Sequence, residues 1–349
     1  MTGATVIPAP PNAAVEQVPL VRVNGLTIGF PAANGTALAV RDVAFEALRG
    51  ETLGIVGESG CGKSLSLRAL LGIVPQPGEV LGGEIAWDGE VDLLRDERRL
   101  RSMRGREISM IFQDPLESLN PVFSIGDQLT EVLRLRAGLA RSTARLRAVE
   151  LLERVGIPSA ATRLRSYPHE LSGGMRQRVM IAIAIACGPE LLIADEPTTA
   201  LDVTIQDQIL GLLVELQQET GLTVLLVSHD LGVIAQMADR IAVMYAGRVV
   251  ETGTVDEVLL TPRHPYTAGL IASAPGGTAA LAGSRLQSIG GSPPAISELP
   301  PGCAFAPRCR YATDSCTEVP MRLDRGPGEH ASACPVVDAD HEQGRDDGD

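Results

Sequence analysis

The sequence contains no apolar run of the roughly 18 residues that a membrane-spanning helix requires, and its longest candidates, such as residues 179–187, are too short. Residues 1–19 are rich in proline and alanine but lack a basic end followed by an apolar core, so they do not resemble a secretory signal. We expect this segment to be disordered. The protein is therefore expected to be cytoplasmic, with any attachment to a membrane made through partner proteins.

Positive charge is also scarce. The chain has 30 Lys and Arg against 43 Asp and Glu, a net charge of -13. This balance argues against a nucleic-acid backbone as the ligand, although a local basic groove is still compatible with it. A hydrophobic content of 44% and a charged content of 21% are typical of a soluble globular protein. At 349 residues the chain can hold one large domain with an appendage, or two domains.

Closely spaced cysteine pairs of the C-x2-4-C type, which are typical of zinc sites, are absent. Four of the six cysteines instead lie near the C-terminus with the spacing C-x5-C-x6-C-x17-C. They are Cys303, Cys309, Cys316 and Cys334. In a reducing cytosol such a group indicates a metal site more than a disulfide pair. The spacing leaves open an iron–sulfur cluster with four cysteine ligands, a loosely built zinc site or four unrelated thiols.

The clearest motif is G-x-x-x-x-G-K-S at residues 57–64, between an apolar strand-like run and a helix-like segment. Glycines allow the tight turn that points backbone N–H groups at an anion, and the helix N-terminus adds partial positive charge. Lys63 would reach the β- and γ-phosphates, and the Ser64 hydroxyl would ligate Mg²⁺. A chance glycine-rich turn is the alternative, and the strand–loop–helix context disfavours it. The predicted phosphate-binding residues are Gly57, Glu58, Ser59, Gly60, Cys61, Gly62, Lys63, Ser64 and Leu65.

A second motif places two carboxylates after an apolar strand at residues 191–196. In parallel sheets, ligands bind at this carboxyl edge of the strands. Asp195 would hold Mg²⁺, and Glu196, which points elsewhere, would orient or deprotonate an attacking water. Alone, an apolar run followed by Asp-Glu is often just the end of a strand.

Strand-like and helix-like segments alternate along the chain, which predicts an α/β fold with a parallel sheet and crossover helices. Strands are predicted at 20–30, 38–47, 82–88, 191–195 and 223–228, a loop at 31–36, helices at 123–156, 170–187 and 204–220, and a hairpin at 240–253. Ser124 with Asp127 resembles a capping box. The helical spacing of Leu146, Val149, Leu152 and Val155 predicts that they face the core.

Four further motifs resemble those of ATP-binding-cassette (ABC) ATPases and occur in that family's order across roughly residues 20–253. They are Leu171-Ser172-Gly173-Gly174-Met175-Arg176-Gln177 for the signature, Phe112-Gln113-Asp114-Pro115 for the glutamine loop, Thr199-Ala200-Leu201-Asp202 for the D-loop and Val227-Ser228-His229-Asp230 for the switch-histidine loop. The resemblance implies a phosphate-loop core with a parallel sheet, an N-terminal antiparallel β subdomain and a helical signature subdomain.

The resemblance also implies a mechanism in which two cassettes pair head to tail and bury ATP between the phosphate loop of one and the signature of the other. Ser172, Gly173 and Gly174 would offer a second helix start to the γ-phosphate. The family pattern assigns catalysis to Lys63, Gln113, Glu196 and His229, magnesium to Ser64, Gln113 and Asp195, adenine stacking to Phe30, further nucleotide contacts to Gln177, and the link between the two sites to Asp202. A strand Phe packed in the core is the alternative for Phe30.

Near the C-terminus, residues 263–267 and 302–309 resemble the extension of oligopeptide and dipeptide importer ATPases, to which nickel importers are close relatives. This resemblance implies a [4Fe–4S] cluster on Cys303, Cys309, Cys316 and Cys334. The expected organisation is a tail at 1–19, a nucleotide-binding domain at 20–260 with its helical subdomain at about 114–187, an extension at 261–337 and an acidic tail at 338–349.

The function expected from the resemblance is the hydrolysis of ATP to ADP and phosphate to power peptide import at the cytoplasmic face of the membrane. The expected partners are a second ATPase chain, either a paralogue or a second copy, two permease chains and an extracytoplasmic binding protein. Import of nickel or another small solute is an alternative, as is a regulatory subunit. A soluble cassette ATPase acting on nucleic acid or ribosomes is disfavoured, because the acidic chain has neither a tandem cassette nor a coiled-coil insertion.

Overall fold

The computed structural model describes residues 18–33, 35–89, 91–114, 118–199, 201–274, 289–318, 323, 330–334 and 336. The strands are β1 (Val21–Ala32), β2 (Gly35–Ala47), β3 (Thr52–Val56), β4 (Glu79–Trp87), β5 (Val91–Asp92), β6 (Ile108–Ile111), β7 (Leu191–Asp195), β8 (Thr223–Val227), β9 (Arg240–Tyr245), β10 (Arg248–Thr254) and β11 (Ala331–Ser332). The helices are α1 (Lys63–Leu70), α2 (Glu97–Met103), α3 (Ile125–Leu135), α4 (Arg141–Arg154), α5 (Ala160–Arg163), α6 (Gly173–Ile185), α7 (Val203–Thr220), α8 (Leu231–Met237), α9 (Val255–Leu260), α10 (Pro265–Ser273) and α11 (Ser315–Glu318). Of the predicted tails at 1–19 and 338–349, residues 1–17 and 338–349 lie outside the described residues, as do Pro115 and Ala200 of the sequence motifs.

The larger sheet runs in the order β11-β10-β9-β3-β8-β7-β6. Strands β3, β7 and β8 are buried along their whole length, as expected for parallel strands covered on both faces. β3 pairs in parallel with β8 and β9, and β7 pairs in parallel with β8 and β6. The predicted α/β fold with a parallel sheet is therefore confirmed. Its carboxyl edge brings together the segments that follow β3, β7 and β8.

The first two strands, together with β4 and β5, form a smaller antiparallel sheet in the order β2-β1-β4-β5. The sequence predicts a loop over residues 31–36, but the structure extends both strands of the hairpin into it, pairing Pro31 with Thr36 and Ala32 with Gly35. β4 likewise begins at Glu79, earlier than predicted, because its first residues pair with the end of β1. Cross-strand pairing thus overrides the local turn signals.

The helical region between β6 and β7 contains α3, α4 and α6. Ser124 caps α3 as predicted, accepting a hydrogen bond from the Asp127 backbone N–H at 3.1 Å. In α4, however, the prediction for Leu146 is wrong, since 68% of the residue is exposed. The buried side of α4 includes Ala144, and Leu146 lies roughly 200° further round a helix of 3.6 residues per turn.

Two other predicted boundaries are confirmed by backbone geometry. α7 ends at Gly221, whose φ of 67° lies in the left-handed region that suits a helix C-cap. The β9–β10 hairpin turns at Ala246 and Gly247, with φ values of 45° and 82°. Two successive positive φ values give a turn whose twist matches that of the flanking strands.

The C-terminal region is joined to the larger sheet. β11 pairs with β10, matching Glu251 with Ser332 and Thr252 with Ala331. The fully buried Glu251 carboxylate accepts the backbone N–H of Arg263 at 2.7 Å and of His264 at 2.8 Å. It also lies 2.7 Å from His330 Nε2. One buried carboxylate therefore holds three residues at two places in the region that follows β10.

His264, which caps the start of α10, belongs to the group of residues held by Glu251. Its Nδ1 accepts the Tyr266 backbone N–H at 3.1 Å, which requires the neutral ring. Burial lowers the pKa of His264 to about 3, so the ring stays neutral throughout the physiological range. The start of α10 is thus insensitive to ordinary changes of pH.

Among the residues that the structure describes, no helix is both long and apolar enough to cross a membrane.

Replacing Glu251 by alanine is expected to lower the free energy of unfolding by about 2–5 kcal/mol, because two backbone N–H groups lose their acceptor in a buried setting. Urea denaturation followed by circular dichroism measures the change. The matched control is Glu298→Ala at an exposed glutamate of the same region, which should leave the midpoint unchanged. Equal midpoints for the two variants would contradict the anchoring role.

Candidate nucleotide-binding and hydrolysis site

The loop between β3 and α1 has the shape of an anion cradle. Gly57 has a φ of 152°, and a Cβ placed on it would lie 2.2 Å from the Met244 carbonyl oxygen, so a larger residue would have to displace the backbone of β9. Gly62, with a φ of 101°, caps the start of α1. The loop therefore turns tightly enough to direct N–H groups and a helix N-terminus to one point.

Lys63 bends back over this loop. Its side chain is buried, and Nζ donates hydrogen bonds to the carbonyl oxygens of Gly57 at 2.7 Å and Glu58 at 3.0 Å. The ammonium is thus held at the mouth of the cradle by two neutral acceptors. Phosphate oxygens carry negative charge and accept stronger hydrogen bonds than carbonyls do, so they can compete for the same donor.

Ser64 and Asp195 come together although they lie on different elements. Ser64 Oγ donates to Asp195 Oδ1 at 2.7 Å. Asp195 is 1% exposed at the end of β7, and its Oδ2 has no hydrogen-bond partner among the described residues. Burial is the main cause that raises the pKa of this carboxyl. A hydroxyl beside an unpaired buried carboxylate oxygen is a donor set that suits Mg²⁺, which supplies the missing charge.

Glu196 is the centre of a group of polar side chains. Its carboxylate accepts hydrogen bonds from Gln113 Nε2 at 2.8 Å and Thr199 Oγ1 at 2.9 Å. His229 Nδ1 lies 3.3 Å from its other oxygen. The residue adopts a φ of 49°, an uncommon conformation away from glycine, and its N–H is held by the Val227 carbonyl at 3.0 Å. Glutamine loop, D-loop and switch histidine thus meet on one carboxylate.

Thr199 was not assigned a role by the sequence, although it lies within the D-loop motif. The signal was its position three residues after Glu196, the spacing of a turn that its N–H closes by donating to the Glu196 carbonyl at 3.2 Å. Its hydroxyl fixes the same Glu196 oxygen that Gln113 contacts.

The signature residues lie apart from this group. Ser172 caps α6 by accepting the Met175 N–H at 3.3 Å, and Asp202 caps α7 by accepting the Ile205 N–H at 3.0 Å. Ser172 and Gly173 are exposed, and a Cβ on Gly174 would lie 2.7 Å from the Ile205 side chain. In the described part of the chain, no hydrogen bond or ion pair joins the start of α6 to the phosphate loop.

Two other residues predicted to contact the nucleotide, Gln177 and Phe30, are buried or half-buried. Gln177 is 2% exposed within α6, and its Nε2 has no hydrogen-bond partner in the described chain. Phe30 is half-buried at the end of β1, so close to Gly78 that a Cβ there would lie 2.6 Å from its ring. Nucleotide binding by both residues stays a prediction.

The four C-terminal cysteines line a single cavity of about 290 Å³, together with Phe305 and Tyr311. Within the described residues, Cys303, Cys309, Cys316 and Cys334 form no disulfide bond. Burial raises the pKa of Cys303 to about 11 and also raises that of Cys309, which favours the protonated thiol. Among the residues the structure describes, no three His, Cys, Asp or Glu side chains are arranged to hold a metal ion. The thiols therefore share a cavity without forming a ligand cage.

Tyr266 and Arg308, which the sequence left without a role, also reach the phosphate loop. Both contact Glu58, through its backbone N–H and its carboxylate respectively. Neither position belongs to a recognisable nucleotide motif.

Comparison with protein families gives two matches. Residues 40–199 match the family described as ABC transporter. Residues 250–316 match the family described as oligopeptide/dipeptide transporter, C-terminal region. The first match contains the phosphate loop and Glu196, and the second contains Tyr266, Arg308 and three of the four clustered cysteines.

Individual relatives extend over most of the chain. A putative peptide import ATP-binding protein of Brucella abortus (strain 2308) is 50% identical over 322 residues, which cover 92% of this chain and 96% of that protein. The oligopeptide transport ATP-binding protein OppD of Bacillus subtilis (strain 168) is 52% identical over 295 residues, covering 84% of this chain and 82% of that protein.

Among solved structures, the dimeric post-hydrolysis state of the ATP-binding cassette MJ0796, bound to ADP and Pi, superposes with a TM-score of 0.57 and 28% identity. The match covers 67% of this chain and 98% of that one. Taken with the sequence relatives and the phosphate-loop geometry, it shows that the chain is an ATPase of the ABC transporter family, with the C-terminal region of the oligopeptide/dipeptide transporter group.

Proposed function

We propose that this chain is the ATP-hydrolysing subunit that powers the import of di- or oligopeptides through a membrane ABC transporter. The observation that carries the proposal is the Glu196 carboxylate, held by Gln113 and Thr199 and faced by His229. Glu196 directly follows Asp195, whose carboxylate accepts a hydrogen bond from Ser64. The peptide substrate is inferred from relatives named peptide import or oligopeptide transport proteins.

ATP binding begins at the phosphate loop. Loop N–H groups and the start of α1 receive the phosphates, and Lys63 exchanges its carbonyl partners for phosphate oxygens. Ser64, Asp195 and Gln113 are the residues that would hold Mg²⁺, which neutralises the charge that develops on the transferring phosphoryl group. The unpaired oxygen of Asp195 is the feature that supports this assignment.

Hydrolysis then depends on a positioned water. Glu196 accepts a hydrogen bond from that water and takes its proton as it attacks the γ-phosphorus, giving ADP and phosphate. Gln113 and Thr199 fix the Glu196 carboxylate, and His229 contacts the γ-phosphate from the same edge of the sheet. Most of the rate acceleration in such a site comes from positioning and electrostatic stabilisation.

A second cassette completes the pocket. The exposed Ser172 and Gly173 at the start of α6 offer N–H groups to the γ-phosphate bound by a partner chain. Asp202 links the two sites, Gln177 makes a further nucleotide contact and Phe30 stacks on adenine. The partner is a paralogous ATPase chain or a second copy. Two permease chains hold the pair at the cytoplasmic face of the membrane, and an extracytoplasmic binding protein delivers the substrate.

The chain is accordingly divided by function. The nucleotide-binding domain spans residues 20–260, with its helical subdomain at about 114–187, and the extension spans 261–337. Tails flank the two, at 1–19 and 338–349.

The extension is proposed to hold a [4Fe–4S] cluster on Cys303, Cys309, Cys316 and Cys334. Support comes from the shared cavity, which four thiols line together with apolar and aromatic side chains that would shield a cluster. Ligation would deprotonate the thiols, against the direction in which burial moves the pKa values of Cys303 and Cys309.

Replacing Glu196 by glutamine is expected to lower ATP hydrolysis by about 10²–10⁴-fold, the usual contribution of a general base, while MgATP still binds. Phosphate release by the complex with its partner subunits measures the loss. Glu150→Gln, a matched change on the exposed surface of α4, should hydrolyse at the unmodified rate. Full activity of Glu196→Gln would remove Glu196 from the mechanism.

Anaerobically purified protein is expected to contain iron and acid-labile sulfide in equal amounts, with the visible absorbance of a cluster. Cys316→Ser should lose both, whereas Cys187→Ser, outside the cavity, should keep them. Protein without iron would remove the cluster proposal and leave the ATPase assignment intact.

Peptide import is tested with the chain co-expressed with its neighbouring subunits and reconstituted into liposomes. ATP-dependent uptake of a labelled oligopeptide is expected, and Glu196→Gln should abolish it. Uptake of nickel with no peptide uptake would contradict the proposed substrate.

A further inference from the structure

The first turn of the phosphate loop is held from the C-terminal region. Glu58, the second residue of the loop, forms a two-point ion pair with Arg308, at 2.7 Å to Nη1 and 2.9 Å to Nη2. The backbone N–H of Glu58 donates to Tyr266 Oη at 2.8 Å. Both the side chain and the main chain of one loop residue are therefore fixed by residues that follow it by 208 and 250 positions.

Arg308 is set for this contact on every side. Its side chain is only 5% exposed, and Nε donates to the Gly290 carbonyl at 2.8 Å. Nη1 also contacts Tyr245 Oη at 3.2 Å. A guanidinium with its plane held in this way presents a rigid fork that matches the geometry of a carboxylate.

Tyr266 is equally restrained. The residue is fully buried, and its ring lies 4.6 Å from that of Tyr245 and 5.5 Å from that of Phe305, measured between centroids. Aromatic packing of this kind fixes the ring, and with it the hydroxyl. The acceptor for the Glu58 N–H therefore has little freedom to move.

These contacts act on the residue that also holds the loop lysine. The Glu58 carbonyl oxygen accepts a hydrogen bond from Lys63 Nζ at 3.0 Å. Fixing the Glu58 peptide and side chain thus sets the position of the carbonyl and, through it, the ammonium that reaches the phosphates. The adjoining Gly57 has a conformation that other residues rarely adopt, so the turn needs outside support to keep one shape.

We propose that Arg308 and Tyr266 are positioning residues for ATP binding, which hold the phosphate loop in its phosphate-binding shape by fixing Glu58 from the C-terminal region. The proposal rests on the proposed binding of MgATP at this loop. The C-terminal region has its own attachment to the sheet through Glu251 and β11. Its contact with Glu58 is therefore not required for docking and is free to serve the loop.

The expected effect is on affinity. If the loop is binding-competent only part of the time, the apparent dissociation constant rises by the inverse of the competent fraction. Arg308→Gln and Tyr266→Phe should each raise the Kd of the full-length chain for MgATP about tenfold, equivalent to about 1.4 kcal/mol. Once ATP is bound, Glu196 and His229 are unaffected, so kcat of the assembled complex should change less than about twofold.

Matched controls separate positioning from general disturbance. Arg310→Gln removes the same charge two residues away, where Arg310 is exposed beside Tyr311, and Tyr167→Phe removes the hydroxyl of an exposed tyrosine outside the C-terminal region. Both controls should bind MgATP as the unmodified chain does. Arg308→Lys keeps the charge but loses the fork, and should recover part of the affinity. Glu58→Gln combined with Arg308→Gln should weaken binding no further than Arg308→Gln alone, because both changes break one interaction.

Isothermal titration with MgATP and urea denaturation, run on the same preparations, decide the outcome. Unchanged Kd values for Arg308→Gln and Tyr266→Phe, with or without a lower urea midpoint, would overturn the positioning role. Additive losses in the double variant would also overturn it. Lys63→Ala serves as the independent test of the underlying site, since retained binding in that variant would refute MgATP binding at this loop itself.

Discussion

The site depends on one constraint, that parallel strands of a sheet end at a common edge. β3, β7 and β8 each deliver one part there, namely the phosphate loop, the Asp195–Glu196 pair and His229. Because the strands are buried on both faces, polar side chains at this edge must satisfy one another or a ligand. Asp195 does so only in part, with one oxygen bound to Ser64 and the other without a partner in the described chain. We expect that incomplete pairing to favour a cation at this edge and, through the cation, the binding of phosphates.

The features of the fold and the site that could be predicted are those whose residues lie close together along the chain. The phosphate loop, the Asp195–Glu196 pair and the cap at Ser124 are local patterns, so their residues carry their own signal. Contacts made by folding, such as those of Tyr266 and Arg308 with Glu58, leave no mark at either position. The error at Leu146 has a different origin, because residues spaced by three drift by about 60° per step around a helix of 3.6 residues per turn. Leu146 therefore lies on the side opposite Val155, which is buried as predicted. The four cysteines are an intermediate case, because the sequence places them all near the C-terminus but only the fold shows that they line one cavity.

The region after β10 is integrated with the rest of the fold. It adds a strand to the larger sheet, contributes side chains to the same hydrophobic core and contacts one residue of the phosphate loop. Phe305 and Arg308 lie within the same short stretch as Cys303 and Cys309, so the cysteine cavity and the contact with the loop share a backbone. A change in the shape of this cavity would also move Arg308, which directly precedes Cys309, and with it the ion pair to Glu58.

The place of β11 in the sheet has a consequence for how the protein is made. The ribosome releases β10 about eighty residues before Ala331 and Ser332, so the outer edge of β10 is without this partner while the nascent chain grows. An unpaired edge of this kind can add a strand from another polypeptide. Products cut short by a premature stop codon or by a protease would keep that open edge permanently. Such products would expose a template for edge-to-edge pairing, which makes a chain prone to aggregation.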